Sequence, residues 1–333
     1  MQTDYQIFEA GDVVLQSGIT LPDCRIAYKT YGRLNSAKDN AILYPTWFSG
    51  RHTDNEWLIG PQMALNPEQY FIIVPNMLGN GLSSSPSNTP PPFNGAYFPQ
   101  VTLYDNVRLQ HRLLTGHLGV RHIQLAVGWS MAAAQVYQWG ALYPDMVARI
   151  APFCGTPRTS PHTFVFLEGL AAALKGGITP EQGLRAMARV LAGWAFTQDF
   201  YREELFRTAL GFASLEDFLR GFWEASFLSW DPQDILSMIK TGQYGADISA
   251  NEVFQHDHVR ALNAIRARAL VMPGSTDMYF PVEDHRLAVE HMPNATLVPV
   301  PSIWGHFAGG RGIHPPDTAF IDDHLKVLLA SQS

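Results

Sequence analysis

The chain has 333 residues, 46% of them hydrophobic, enough for a large buried core in one sizeable domain or a domain carrying an insertion. A formal net charge of −7 without any run of basic residues excludes the electrostatic footprint of a nucleic-acid or anionic-membrane binder. Cys24 and Cys154 stand far apart and outside any C-x-x-C, so they imply neither a disulfide framework nor a zinc knuckle and read as buried free thiols. The N-terminal MQTDYQIFEAGD lacks the charged start and apolar core of a secretion signal, and no stretch approaches the ~18 uninterrupted apolar residues of a membrane span. A cytoplasmic location is expected.

Residues 12–33 alternate apolar and polar side chains around the turn-like Ser17-Gly18 and Leu21-Pro22, which predicts an antiparallel hairpin at a sheet edge. Residues 40–44 (NAILY) and 70–74 (YFIIV) are short and almost wholly apolar, the pattern of parallel strands covered on both faces. The first leads into Pro45-Thr46-Trp47-Phe48-Ser49-Gly50-Arg51-His52, the second into Pro75-Asn76-Met77-Leu78-Gly79-Asn80-Gly81-Leu82-Ser83. Ligands of an open parallel sheet bind beyond the carboxyl ends of its strands, so both loops are expected on the rim of the functional site. Residues 83–93 (SSSPSNTPPPF) read as a surface loop, because proline at that density denies the backbone a ladder.

Residues 102–118 set Val107, Leu113, Leu114 and Leu118 at helical intervals, and Gly119 stops that helix. Within HIQLAVGWSMAAAQVYQWGALYP, residues 122–144, a short apolar strand reaches Gly128-Trp129-Ser130-Met131-Ala132 and turns at once into a helix. Residues 147–153 give another buried strand. From 161 to 263 the pattern is helical and rich in Trp and Phe, as in EDFLRGFWEASFLSW. Strand pattern returns at 268–272 and 295–300, with helices over 282–291 and 317–329. The organisation expected is an α/β core over residues 1–160, a helical insertion over 161–263 and the rest of the core over 264–333. The insertion reads as a lid over the rim, the alternative being a helical subdomain that serves stability or a homodimer contact.

Strand, tight turn and helix form the context in which a G-x-S-x-G/A pattern becomes a nucleophile elbow, with Ser130 at the strained corner. The alternative reading of Ser130 is an ordinary helix N-cap. A serine hydroxyl is a poor nucleophile at neutral pH, so acyl transfer needs a base near pKa 7 and a carboxylate to fix that base's tautomer. Asp277 follows one late strand and His306 the next, giving the order Ser, Asp, His of an α/β-hydrolase fold: a mostly parallel sheet flanked by helices. Asp284 is the rival acid, but it sits in a helical stretch. His256 and His258 lack a third ligand at usable spacing and read as a solvated helix start, so no metal is expected. The oxyanion hole would come from the backbone N–H groups of Met131 and, after the early strand, Phe48.

With these residues placed, the chain resembles the homoserine O-acetyltransferase family of the α/β-hydrolase superfamily over nearly its whole length. The likeness rests on LPDCRIAYKTYGRLN, NAILYPTWFSG, IGPQMALNPEQYFIIVPNMLGNGLSSSP, FPQVTLYDNVRLQHRLL, GWSMAAAQVYQWGALYPDMVARI, GLRAMAR, GSTDMYFP and the late Gly-His. It implies ping-pong transfer of acetyl from acetyl-CoA to the homoserine hydroxyl, with Ser130, Asp277 and His306 as the triad. It also supports Phe48 as an oxyanion donor and matches Arg189 to an arginine that helps hold the amino-acid acceptor. Trp47, Trp129, Arg189 and Phe307 are thus the side chains expected at the substrate. The sequence departs from the family at Ala132-Ala133, where two glycines are usual, at Ala195-Phe196-Thr197 in place of Tyr-Arg-Ser, and at Phe307 in place of the aspartate that faces the acceptor's ammonium. Exchanging that carboxylate for phenyl removes a contact worth ~1.5–3 kcal/mol, which counts against homoserine.

The expected activity is hydrolysis of a small-molecule carboxylic ester or thioester through an acyl-enzyme. The alternative is an O-acyltransferase that moves an acyl group from acyl-CoA to another alcohol. Neither needs a cofactor, acyl-CoA being a substrate. A non-catalytic binding protein on the same fold is the remaining alternative, and it predicts that fluorophosphonate leaves Ser130 unlabelled.

Overall fold

The apolar runs assemble into one eight-stranded sheet in the order β1-β2-β4-β3-β5-β6-β7-β8. Its strands are β1 (Gln6–Val14), β2 (Thr20–Tyr31), β3 (Ala41–Leu43), β4 (Phe71–Pro75), β5 (Ile123–Trp129), β6 (Arg149–Phe153), β7 (Arg268–Val271) and β8 (Ala295–Leu297). They belong to a computed structural model that describes residues 3–331. β1, β2 and β4 pair antiparallel and every other neighbouring pair is parallel. Successive side chains of a strand face opposite ways, which gives the sheet two cores. Ile42, Ile72, Leu125 and Val127 face one of them, and Ala41, Ile73, Ile123 and Ala126 face the other. The first core continues through Trp129 and Met131 into the helices of the insertion, so Ser130 lies where the sheet meets them.

The edge hairpin forms, but β1 begins earlier than expected and Leu21-Pro22 is not a turn. Pro22 lies inside β2, where the register slips between the pairs Gly11↔Cys24 and Val13↔Leu21 and Asp23 turns to φ 45°. Bulges are where a strand tolerates proline, since no ladder amide is missed there. Residues 83–93 are also only partly a surface loop. Pro90, Pro91 and Pro92 are exposed, whereas Ser83 to Pro86 are buried. Ser83 Oγ accepts from the Ala27 amide (3.0 Å) and donates to the Asn76 carbonyl (2.7 Å), and Ser84 Oγ accepts from the Arg25 amide (3.0 Å). Side-chain hydroxyls thus continue the pairing of β2 past the end of β4, which a count of prolines does not reveal.

Helix α1 (Leu103–Arg112) starts at a Thr102 cap closed reciprocally by Asp105, then opens into a wider turn over Leu113–His117 before Gly119. Helix α2 (Met131–Leu142) is buried along nearly its whole length, and its Trp139 and Gln135 join Gln110 of α1 in a chain of hydrogen bonds. Trp139 Nε1 donates to Gln110 Oε1 (2.8 Å), Gln110 Nε2 to Gln135 Oε1 (2.7 Å), and Gln135 Nε2 to the Thr46 carbonyl (2.9 Å). The helix behind the elbow is thereby tied to the loop after β3.

Between β6 and β7 the chain leaves the sheet. Helices α3 (Pro161–Lys175), α4 (Pro180–Ala195) and α5 (Pro232–Tyr244) each carry proline in the first turn behind a Ser160, Thr179 or Asp231 cap. Short, irregular helical segments join α4 to α5, among them a wide turn over Leu219–Glu224. Helix α6 (Val282–Val289) connects β7 to β8, and α7 (Pro315–Ala330) closes the chain. Among the described residues no helix is long and apolar enough to cross a membrane.

Candidate active site

At the end of β5 the backbone of Ser130 is forced to φ 58°, ψ −128°, a conformation that costs a non-glycine residue ~1–3 kcal/mol. Small neighbours make the turn feasible: a Cβ on Gly128 would lie 2.7 Å from the Ala132 carbonyl, and one on Gly155 would collide with the Ser130 carbonyl. Ser130 occupies the N-cap position of α2, yet its side chain makes no cap hydrogen bond. The hydroxyl points the other way, and its Oγ lies 2.9 Å from His306 Nε2. The N-cap reading thus loses its physical basis.

Asp277 follows β7 and His306 lies in a single turn, Gly305–Phe307, after β8. His306 Nδ1 is 2.8 Å from Asp277 Oδ2, and Asp277 Oδ1 accepts from the amides of Tyr279 (2.8 Å) and Phe280 (3.2 Å). The carboxylate, with none of its side chain exposed, is held by hydrogen bonds on both oxygens. Asp284 lies on α6 and makes no hydrogen bond with His306 among the described residues. Trp129 also supports the imidazole. Its indole stacks on the ring (centroids 4.9 Å apart, 26° between planes) and its Nε1 donates to the His306 carbonyl (3.0 Å).

The loop after β3 is pinned at Thr46, whose amide donates to the Pro75 carbonyl (3.1 Å) and whose Oγ1 accepts from the Met77 amide (3.0 Å). Three residues on, Ser49 takes φ 57°, again a left-handed position for a side-chain-bearing residue. Phe48 and Met131 line the same cavity as Ser130, and among the described residues neither backbone amide donates a hydrogen bond. Unengaged amides beside a nucleophile can accept the negative charge that a carbonyl oxygen develops on attack. The loop after β4, also expected on the rim, does not reach the cavity; it lies behind the first loop and braces it.

Ser130 and His306 open onto a cavity of about 330 Å³. Trp47, Phe48, Trp129 and Phe307 line it from the core, and Phe222, Trp223, Phe227 and Trp230 from the insertion. The latter four were visible in the sequence only as an aromatic-rich helical stretch, since no periodicity said which of its faces would meet the sheet. Polar groups join them: Arg51 lies 4.5 Å from the Trp230 ring, and Arg311 pairs with Asp54 at 3.4 Å. Phe307 also stacks on the buried Phe196, 4.7 Å away, and so belongs to an apolar cluster on its other side.

Arg189 is not brought to the cavity. Its Nε donates to Glu224 (2.6 Å) and its Nη2 to Glu216 (2.8 Å), and these carboxylates raise its pKa above the ordinary guanidinium value. An arginine on an amphipathic helix looks the same in sequence whether it meets a ligand or carboxylates 27 and 35 residues away. Of the histidine pair, His258 begins a short helix and lies 3.4 Å from Asp247, while His256 is exposed. Both cysteines are buried free thiols, and burial pushes Cys24 up to about 11 and Cys154 well above its ordinary value.

The chain belongs to the α/β hydrolase fold family, whose profile matches residues 48–309. It is 39% identical over 341 residues to the ethyl acetate hydrolase of Pseudomonas veronii, covering 98% of this chain and 96% of that protein. The solved structure of an acetylester hydrolase from Corynebacterium glutamicum superposes with a TM-score of 0.93 at 36% identity, covering 98% of this chain and 96% of that one. The chain is also 32% identical over 323 residues to a homoserine O-acetyltransferase of Trichormus variabilis, covering 88% and 86% of the two. The kinship expected from the motifs therefore holds, and it takes in ester hydrolases as well as acetyltransferases.

Proposed function

We propose that this α/β hydrolase is a carboxylic-ester hydrolase that works through an acyl-enzyme on Ser130 and takes esters of short acyl groups such as acetyl. One observation carries the reading: the hydrogen-bond line from Ser130 Oγ through His306 to Asp277, which meets an aromatic-walled cavity. His306 Nε2 takes the hydroxyl proton as Ser130 Oγ attacks the ester carbonyl, and the amides of Phe48 and Met131 hold the resulting oxyanion. Collapse expels the alcohol, which leaves with the proton from His306. Water, deprotonated by the same imidazole, then attacks acyl-Ser130, and the proton returns to the serine as the acid departs. Asp277 fixes the imidazole tautomer and stabilises its charged form. No step draws on a cofactor.

Short acyl groups are favoured by the cavity, which lies at the low end of the roughly 300–1,000 Å³ of small-molecule sites, and by kinship with hydrolases of acetyl esters. The helical insertion would serve as a lid, since its aromatic side chains form one wall.

A second reading, transfer of the acyl group from acyl-CoA to an alcohol, is favoured by the kinship with a homoserine O-acetyltransferase. Homoserine itself fits poorly. Phe307 offers no charge to an ammonium, and the guanidinium of Arg189 is occupied by two carboxylates. The test is to follow ethyl acetate and acetyl-CoA with and without added alcohols. Hydrolysis of the ester that needs no alcohol is expected, with fluorophosphonate labelling the wild type but not Ser130→Ala. CoA release that requires an alcohol and yields its ester would reject the hydrolase in favour of the transferase. A cytoplasmic location accompanies this reading, and cell fractionation checks it.

A further inference from the structure

We propose that Asn76, Asn80 and His52 are positioning residues: a buried polar frame that holds the Phe48 amide in the orientation the transition state needs. The inference rests on the acyl-enzyme reading and extends it to residues that touch no substrate.

All three side chains are almost fully buried and all lie outside the cavity. Asn80 Nδ2 donates to the Gly50 carbonyl (3.2 Å) and to Asn76 Oδ1 (2.9 Å). Asn76 Oδ1 also accepts from the His52 amide (3.1 Å), while Asn76 Nδ2 donates to the Ala27 carbonyl (3.1 Å) and to His52 Nδ1 (3.2 Å). With Nδ1 as acceptor, the His52 proton resides on Nε2, which donates to Asp4 Oδ1 (3.1 Å). The asparagines accordingly have their donors and acceptors filled, the condition under which a buried polar network rigidifies what it touches.

What it touches is the segment bearing the amide. Gly50 and His52 are held by the frame, and Ser49, between Phe48 and Gly50, sits at φ 57°. A left-handed serine persists only where its surroundings over-determine it. Relaxation of Ser49 to an ordinary conformation would rotate the Phe48–Ser49 and Ser49–Gly50 peptide planes, and the resulting displacement of Phe48 would shift its N–H, in the adjoining Trp47–Phe48 plane, along the cavity wall. On the other side of Phe48, Thr46 is fixed by Met77 and Gln135, so the free joint of the loop is the one that the frame closes.

Asn80→Asp and His52→Leu each break the frame without entering the cavity. Aspartate keeps the acceptor used by the Leu82 amide but opposes the Gly50 carbonyl; His52→Asn restores a polar partner for Asn76. With an aryl acetate, Asn80→Asp and His52→Leu are expected to lower kcat by about 10- to 100-fold, a part of what a lost oxyanion donor costs. KM should stay within about twofold of the wild type, since the amide acts on the transition state and not on the bound ester. His52→Asn should recover most of the rate. Phenylboronic acid, whose adduct with Ser130 places an oxygen where the oxyanion forms, should lose affinity in step with kcat. Unchanged kcat, equal losses in kcat and affinity for ground-state ester, or undiminished boronate binding would each overturn the proposal. Should Asn80→Asp fail to fold, His52→Leu at the margin of the frame carries the same test. A wild type that hydrolyses no ester would overturn the reading of the site instead, and the two failures are thereby distinct.

Discussion

At the scale of single residues the site is a set of side chains made unusual by their backbone. Ser130 and Ser49 both occupy left-handed positions, and both lie next to an amide expected to bind the oxyanion. The sequence made the first of these legible, because an elbow is a local pattern of small residues between a strand and a helix. It left the second hidden, because Ser49 is strained by partners up to thirty residues away. Asp277 was legible through its place after a strand, and its advantage over Asp284 follows from the same fact: strand ends converge on the rim, while a residue on α6 is carried past it. Ser130→Ala and His306→Ala should each lower kcat at least ~10⁴-fold on an aryl acetate, and the double variant should be scarcely worse, because the groups act as one unit. Asp277→Asn should lose roughly 10⁴-fold through the wrong tautomer, whereas Asp284→Asn should stay near wild type. A reversal of that last pair would show that the acid has been misassigned.

At the scale of elements the insertion is held together by charge as well as by aromatic packing. Arg185 and Arg189, one turn apart on α4, both donate to Glu224 at the end of the wide turn, and Glu224 is 4% exposed. Burial works to raise the Glu224 pKa, but the hydrogen bonds from Arg189 and Arg185 outweigh it and leave the carboxyl below its ordinary value. Glu216 meets Arg189 and Arg220 in solvent. Glu224→Ala should therefore destabilise by about 1.5–3 kcal/mol, as for a hydrogen bond to a charged group, while Glu216→Ala, whose partners meet it in solvent, should cost clearly less. Urea denaturation of the two variants measures the difference. Wide turns such as Leu219–Glu224 are why sequence reading stopped at a helical stretch here. They break the 3.6-residue repeat, and with it the rule that tells an inner face from an outer one.

For the whole molecule, buried titratable groups determine where acid weakens it. His285 is fully buried on α6, and burial lowers its pKa even though the Pro281 carbonyl and the charge of Asp277 favour the protonated form. The unfolded imidazole takes up a proton as pH falls below about 6.5, and the folded one resists, so the stability due to this residue is full above that value and declines below it. Glu224 adds a later loss: its folded pKa lies below the unfolded 4.5, so its contribution is present above that pH and disappears beneath it. Thermal midpoints measured from pH 8 to 4 should fall less steeply below pH 6.5 for His285→Leu than for the wild type; parallel curves would refute the assignment. The sheet, its order of chemistry-bearing loops and the kinship were legible in sequence because strands and turns are local. Of the cavity walls, Trp47, Trp129 and Phe307 were legible in the same way, but the aromatic side chains from the insertion were not, because they depend on which distant segment settles over the sheet. That division has a corollary for descent with modification. The hydrogen-bond line from Ser130 through His306 to Asp277 is set at strand ends of the core, whereas Phe222, Trp223, Phe227 and Trp230 come from one interior tract of the insertion, so mutations in that tract should retune which molecules are admitted without disturbing that line.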